Sequence, residues 1–230
     1  MQALWNRVDQ RLEELLIHPE ENLSAALESN RADGLPSIDV SPLFGKFLSL
    51  LIGISGAHRV LEVGTLGGYS TTWMAKALPK DGHVITLELN PHHAEVARAN
   101  LKRAGVLNRV DVRVGPAAES LRTLHSEGAE PFDFIFLDAD KRSMPIYLDW
   151  SLKLARKGTL IVADNVVRDG KILDADTKDE DTRGTQRFLE LAGANPRLQV
   201  TALQTVGIKQ HDGFAIAVVL SDRPDFTAIR

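Results

Sequence analysis

"FDFIFLDADK", Phe132 to Lys141, is the stretch on which the fold turns. Its first half is dominated by Phe, Ile and Leu and is too short for a buried helix, so "FDFIFL" reads as a strand. Asp138, Asp140 and Lys141 then follow at the carboxyl end. In an open parallel sheet, ligands bind outside the carboxyl ends of the strands. The stretch therefore predicts a buried strand that delivers acids and an amine into a site. A buried strand followed by a solvated turn fits these residues as well when they are taken alone, so the neighbouring sequence has to decide.

Working outward, six more short runs rich in Val, Ile and Leu read as strands: 58–63, 83–89, 109–114, 158–163, 198–203 and 213–220. Helical patterns lie between them at 69–78, 91–104, 117–126, 143–156 and 183–193. Pro91 stands where a helix starts and Gly105 where one stops. This alternation predicts an α/β fold, a mostly parallel sheet with helices on both faces. Only "TVGIKQHD" (205–212) separates the last two runs, too little for a helical crossover, so they are expected to pair as an antiparallel hairpin. Two helices, about 3–17 and 42–54, are expected over the mouth of the first strand.

The chain has 230 residues, enough for one sizeable domain. A net charge of −4 disfavours a nucleic-acid partner. The absence of cysteine excludes disulfides, thiolate zinc sites and a cysteine nucleophile. No apolar run reaches membrane-spanning length and the N-terminus does not read as a signal peptide, so a cytoplasmic protein is expected.

"VLEVGTLGGYST" (60–71) follows the first strand and opens a helix. Gly64, Gly67 and Gly68 permit a sharp turn and close approach to a ligand, with Ser70 and Thr71 available to cap the helix. The spacing departs from the GxGxxG dinucleotide fingerprint. Glu88 ends the second strand, placed to accept hydrogen bonds from ribose hydroxyls. Glu62 lies inside an apolar strand and requires a partner, either a cationic ligand or the glycine loop.

"GTLIVADN" ends on Asp164 and Asn165, on the strand after the one that carries Asp138. If those strands are neighbours, two carboxylates and an amide carbonyl converge as a hard oxygen set suited to Mg²⁺ and compatible with Mn²⁺ or Ca²⁺. Capping of a turn is the competing reading for Asp164 and Asn165. The seven histidines show no zinc spacing, and His92 and His93 are expected at the surface. "DADTKDEDT" (174–182) lacks the central glycine of a calcium loop and reads as a solvated mobile loop.

Together "VLEVGTLGGYST", "ITLELNP", "FDFIFLDADK" and "GTLIVADNVVRDGK", in order between about 36 and 220, resemble the cation-dependent O-methyltransferases of the catechol and caffeoyl-CoA type, in their bacterial form. The resemblance implies a Rossmann-like seven-stranded sheet of order 3-2-1-4-5-7-6 with the last strand antiparallel. It implies a single S-adenosylmethionine-dependent methyltransferase domain over 1–230, with an N-terminal helical lid about 1–55. Asp138, Asp164 and Asn165 would hold a divalent cation. Glu88 would hold the cofactor ribose, Val40, Glu62, Gly64, Thr65 and Ser70 its methionine side, and Ala117 its adenine. Asp138 would join cofactor and metal, and Lys141 would take the substrate proton. The implied substrate is an aromatic vicinal diol, and relatives are often homodimers. Many relatives carry an aromatic residue at Met144 and a tryptophan at Arg168, both expected to face the acceptor. Arg168 suggests an acceptor bearing a carboxylate or phosphate.

Three rivals share this outline. A nicotinamide-dependent oxidoreductase is disfavoured by the missing glycine and the paired acids. A non-catalytic cofactor-binding module is disfavoured by the intact Asp138, Lys141, Asp164 and Asn165 set. A methyltransferase acting on RNA or protein is disfavoured, for RNA, by the acidic balance.

Overall fold

The structure, a computed structural model, describes residues 1–18 and 20–222. Seven strands form one sheet: β1 (Arg59–Val63), β2 (His83–Glu88), β3 (Val110–Val114), β4 (Phe132–Leu137), β5 (Ala155–Asp164), β6 (Leu198–Gly207) and β7 (Gln210–Val219). Their order is 3-2-1-4-5-7-6, with β7 antiparallel to both neighbours, as expected. Strand alternation divides the core in two. Leu61, Val63, Ile85 and Leu87 point to one face, where they meet α6 (Ala117–Ser126), α7 (Met144–Leu154) and α8 (Glu180–Ala194). Val60, Val84, Phe134 and Phe136 point to the other, under α3 (Pro42–Ser55), α4 (Tyr69–Ala77) and α5 (Pro91–Arg103). Phe134 and Phe136 are fully buried, and each such side chain contributes about 1.5–3 kcal/mol of transfer free energy. Ser41 and Asn90 cap α3 and α5, and a proline follows each in the first turn.

The segment before β1 holds three helices rather than two. α1 (Gln2–Leu16) and α3 fit the expectation, whereas α2 (Glu21–Ala32) was not anticipated. It buries only Leu23, Ala26 and Asn30, a stripe too narrow and too polar to stand out in the sequence. The β6–β7 hairpin is longer than its apolar core, because its outer part is a two-stranded ribbon that leaves the sheet. Gln2 donates to the Gly207 carbonyl at 2.8 Å, and the Ile208 amide donates to Asp9 at 2.7 Å, so α1 clasps the tip. The acidic stretch is not all loop: Asp179 caps α8, and Glu180 and Asp181 form its first turn, where the helix dipole favours negative charge. Pro19 and residues 223–230 of the span 1–230 lie outside the described residues.

Candidate active site

The carboxyl ends of β1, β2 and β4 meet at the glycine turn. Gly64 has φ +104°, and a Cβ there would lie 2.0 Å from the Asp138 carbonyl oxygen, so only glycine lets the two strand ends close together. The Thr65 and Leu66 amides donate to Glu88 Oε2 at 3.2 and 2.7 Å. The other Glu88 oxygen accepts from the Asn90 amide at 2.9 Å and lies 3.5 Å from His93 Nδ1. Glu88 thus pins the turn while standing at the edge of the cleft. His93 is half-buried rather than exposed, because it folds back onto this carboxylate.

Glu62 shares the α4 face of the sheet with Thr86, its register partner on β2. It is fully buried and accepts from Ser70 at 2.5 Å, from Thr86 at 2.6 Å and from Thr71. Ser70 and Thr71 therefore bond Glu62 instead of capping α4, whose N-cap is Gly68. Burial pushes the Glu62 carboxyl up to about 7, against the pull of the three hydroxyls.

A buried amide chain braces the outside of the turn. Asn100 Nδ2 on α5 donates to the Gly67 carbonyl at 2.8 Å and to Asn30 Oδ1 on α2 at 2.9 Å. Asn30 Nδ2 donates in turn to Asp39 at 2.8 Å. Asn30 and Asn100 escaped the sequence reading, because isolated asparagines in helices carry no periodic signal. Gly67 was visible as part of a glycine cluster, but its reason is Asn30, whose Oδ1 would lie 1.8 Å from a Cβ at that position.

The acids lie at the other side. Leu137 of β4 pairs with Ala163 of β5, so Asp138 and Asp164 leave adjacent strand ends side by side. Lys141 is buried and its Nζ donates to Asp138 Oδ1 at 3.0 Å. The Asp164 carboxyl is raised to about 7, by burial first and then by the Asp138 charge, with Lys141 pulling the other way. Tyr147 donates to Asp140 at 2.5 Å, and burial raises its phenol well above the ordinary range. Gly184 of α8 abuts the Lys141 carbonyl, which a Cβ would approach to 2.3 Å, so α8 holds the lysine's turn in place.

A cleft of about 910 Å³ runs along these strand ends. Val40, Gly64, Thr65, Ser70, Glu88 and Ala117 line one part of it, and Asp138, Lys141, Asn165 and Arg168 another. Glu62 sits behind the wall. Asp164 instead lines an adjoining cavity of about 270 Å³, walled by Phe44, Phe47 and Phe214, and Asn165 borders both. The rings of Phe44 and Phe47 lie 5.5 and 5.0 Å from that of Phe214. Met144, expected to face an acceptor, is instead in the core, 1% exposed, because its position at the start of α7 turns it inward.

Residues 19–217 match the O-methyltransferase family. The chain is 49% identical to a catechol O-methyltransferase of Niastella koreensis over 94% of this chain and 98% of that one. It is 50% identical to a catechol O-methyltransferase of Mycobacterium tuberculosis, over 92% and 94%. The crystal structure of an O-methyltransferase from Bacillus cereus in complex with SAH superposes with a TM-score of 0.94 at 51% identity, covering 95% of this chain and 100% of that one. The chain belongs to the O-methyltransferase family and is an S-adenosylmethionine-dependent O-methyltransferase.

Proposed function

We propose that the enzyme methylates a hydroxyl of a catechol-like small molecule, a vicinal diphenol, with a divalent cation held by Asp138, Asp164 and Asn165. The observation that carries this reading is the β4–β5 register, which sets Asp138 and Asp164 on adjacent strand ends with Asn165 next in the chain. Two acids and a carboxamide form an oxygen cluster short of positive charge, which Lys141 offsets only in part. A hard cation suits that donor set: Mg²⁺ first, with Mn²⁺ and Ca²⁺ compatible. When bound, it would stabilise the ionised hydroxyl and favour an acceptor with two adjacent hydroxyls. The cofactor supplies a methyl on a sulfonium, and the thioether leaves without needing an acid.

The chain's own residues do the rest. Glu88 takes the ribose hydroxyls, Ala117 borders the adenine, and Val40, Gly64, Thr65 and Ser70 line the methionine side with Glu62 behind. With the cation bound and its amine neutral, Lys141 would take the acceptor proton at Nζ, anchored by Asp138 in the cleft, while Asn165 borders both cavities. Phe44, Phe47 and Phe214 wall the acceptor cavity and keep water away, which favours a reaction in which opposite charges cancel.

A methyl-transfer screen over vicinal diphenols, with Mg²⁺ and with a chelator, tests the proposal. Methylation that survives chelation would sink the cation role, and indifference to the second hydroxyl would sink the diphenol class.

Two further features belong to the same reading. Leu4, Val8, Leu12 and Leu15 form an exposed apolar row on α1, which suits a homodimer interface. A monomer in sedimentation equilibrium would reject that. No helix among the described residues is long and apolar enough to cross a membrane. The cytoplasm is the proposed location, and fractionation of the source cells checks it.

A further inference from the structure

We infer that Asp212 is a positioning residue that fixes which face of the Asn165 carboxamide points at the acids; this rests on the cation reading above. The turn after β5 is backbone-strained: Asn165, Arg168 and Asp169 have φ of 57°, 54° and 55°. Something must hold it, and Asp212, at the start of β7, does so. Its Oδ1 accepts from the amides of Val167 at 3.1 Å, Arg168 at 2.9 Å and Gly213 at 2.9 Å. Its Oδ2 accepts from Asn165 Nδ2 at 3.1 Å.

An ionised carboxylate only accepts hydrogen bonds. The carboxamide atom that faces Asp212 must therefore be the N–H₂ group, which sends Asn165 Oδ1 to the opposite side. On the cation reading, that side faces the ion held with Asp138 and Asp164, where an oxygen binds a cation and an N–H repels one. Asp212 lines the same cavity as Asp164 and Asn165, but three N–H donors hold its Oδ1 and the Asn165 carboxamide holds its Oδ2, so its action on the cation is assigned through Asn165. Asp212→Asn reverses the logic. Its Oδ1 can still accept from the three amides, but its N–H₂ then faces residue 165. The Asn165 carboxamide must flip to accept, and its N–H₂ turns toward the cation.

Mn²⁺ titration followed by electron paramagnetic resonance, without turnover, tests the inference. Asp212→Asn is expected to weaken Mn²⁺ binding by about 10- to 100-fold, the range for an outer-shell partner of a metal ligand, and Asn165→Ala, which removes a ligand, by at least as much. Calorimetric affinity for S-adenosylmethionine stays at the wild-type value. The double variant should bind no worse than Asn165→Ala alone, because Asp212 acts through Asn165. Wild-type Mn²⁺ affinity in Asp212→Asn overturns the inference. So do additive losses in the double variant, which would mean that the Asp212 charge acts through space. If Asp212→Asn does not fold, the exchange Asn165→Asp with Asp212→Asn carries the test. It restores a donor–acceptor pair and leaves an oxygen facing the cation, so Mn²⁺ binding should return, and a folded exchange variant that fails to bind overturns the idea. A wild-type protein that binds no Mn²⁺ rejects the cation reading itself, and the role of Asp212 with it.

Discussion

Glu62→Gln should make the protein more stable at neutral pH while weakening its hold on the cofactor. Glu62 is fully buried, and its carboxyl is raised from 4.5 to about 7, chiefly by burial. The folded chain therefore holds this proton more tightly than the unfolded chain does. Below about pH 4.5 both states are protonated and Glu62 carries no penalty. Between about 4.5 and 7 only the unfolded state ionises, so stability falls as pH rises; above about 7 the loss is complete and constant. At about 1.4 kcal/mol per pH unit, the loss reaches about 3 kcal/mol. Glutamine keeps the shape and cannot ionise. Its Oε1 can accept from Thr71 and Thr86, while its Nε2 donates to Ser70, whose hydroxyl rotates to accept. Urea unfolding of both proteins at steps from pH 4.5 to 8 measures the difference, in which titrating groups other than Glu62 and the Asp138 coupled to it cancel. The advantage of Glu62→Gln should grow by about 3 kcal/mol between about pH 4.5 and 7 and then level, equivalent to roughly 6–12 °C in Tm for a chain of this size. A flat difference would refute the reasoning. Glu62 reaches the cleft only through Ser70, so the proposed reason for keeping so costly an acid is to orient that hydroxyl on the cofactor's methionine side, and calorimetry should show weaker S-adenosylmethionine binding in the same variant.

Lys141→Ala should lower kcat by about 10²- to 10⁴-fold with S-adenosylmethionine affinity retained; an equal loss of both, by stopped-flow and calorimetry, would argue for a structural lysine. Because the Asp164 carboxyl is raised to about 7 and a bound cation needs it ionised, divalent affinity should climb up to about tenfold per pH unit below 7 and level above it. Isothermal titration from pH 5.5 to 8.5 reads this, and a pH-independent affinity would count against Asp164 as a ligand. Arg168 borders the cleft with Nη2 at 3.8 and 3.9 Å from Asp179 and Asp181, and its Nε is buried without a hydrogen bond. Arg168→Ala should cost caffeate about 10- to 100-fold in kcat/KM and spare uncharged catechol, the range for a hydrogen bond to a charged group. Equal losses for both acceptors would remove the case for an anionic substrate.

The strands and most helices were legible because burial writes a local period into the chain. "FDFIFL", "HRVLEV" and "HVITLEL" alternate between two cores, and Pro91 and Gly105 mark their helix on site. The residues at the strand ends were legible for a related reason: polar groups at the carboxyl ends of buried strands have few other uses, and Glu88, Asp138 and Asn165 reach the cleft from there while Asp164 reaches the adjoining cavity. Where the reading failed, the local signal was weak or misleading. α2 buries too little to show a stripe, Met144 turns into the core, and the acidic stretch begins a helix.

By itself, then, the sequence determined the succession of strands and helices and which residues end each strand, since both depend on neighbours a few positions away. Only the tertiary structure decided who meets whom. Asn30 finds Asn100 across seventy positions, Glu62 finds Thr86 through strand register, and Asp212 finds Asn165 through a hairpin that folds back. A buried hydrogen bond requires a matching donor and acceptor but leaves no periodic trace, so its partners become visible only when the chain is folded.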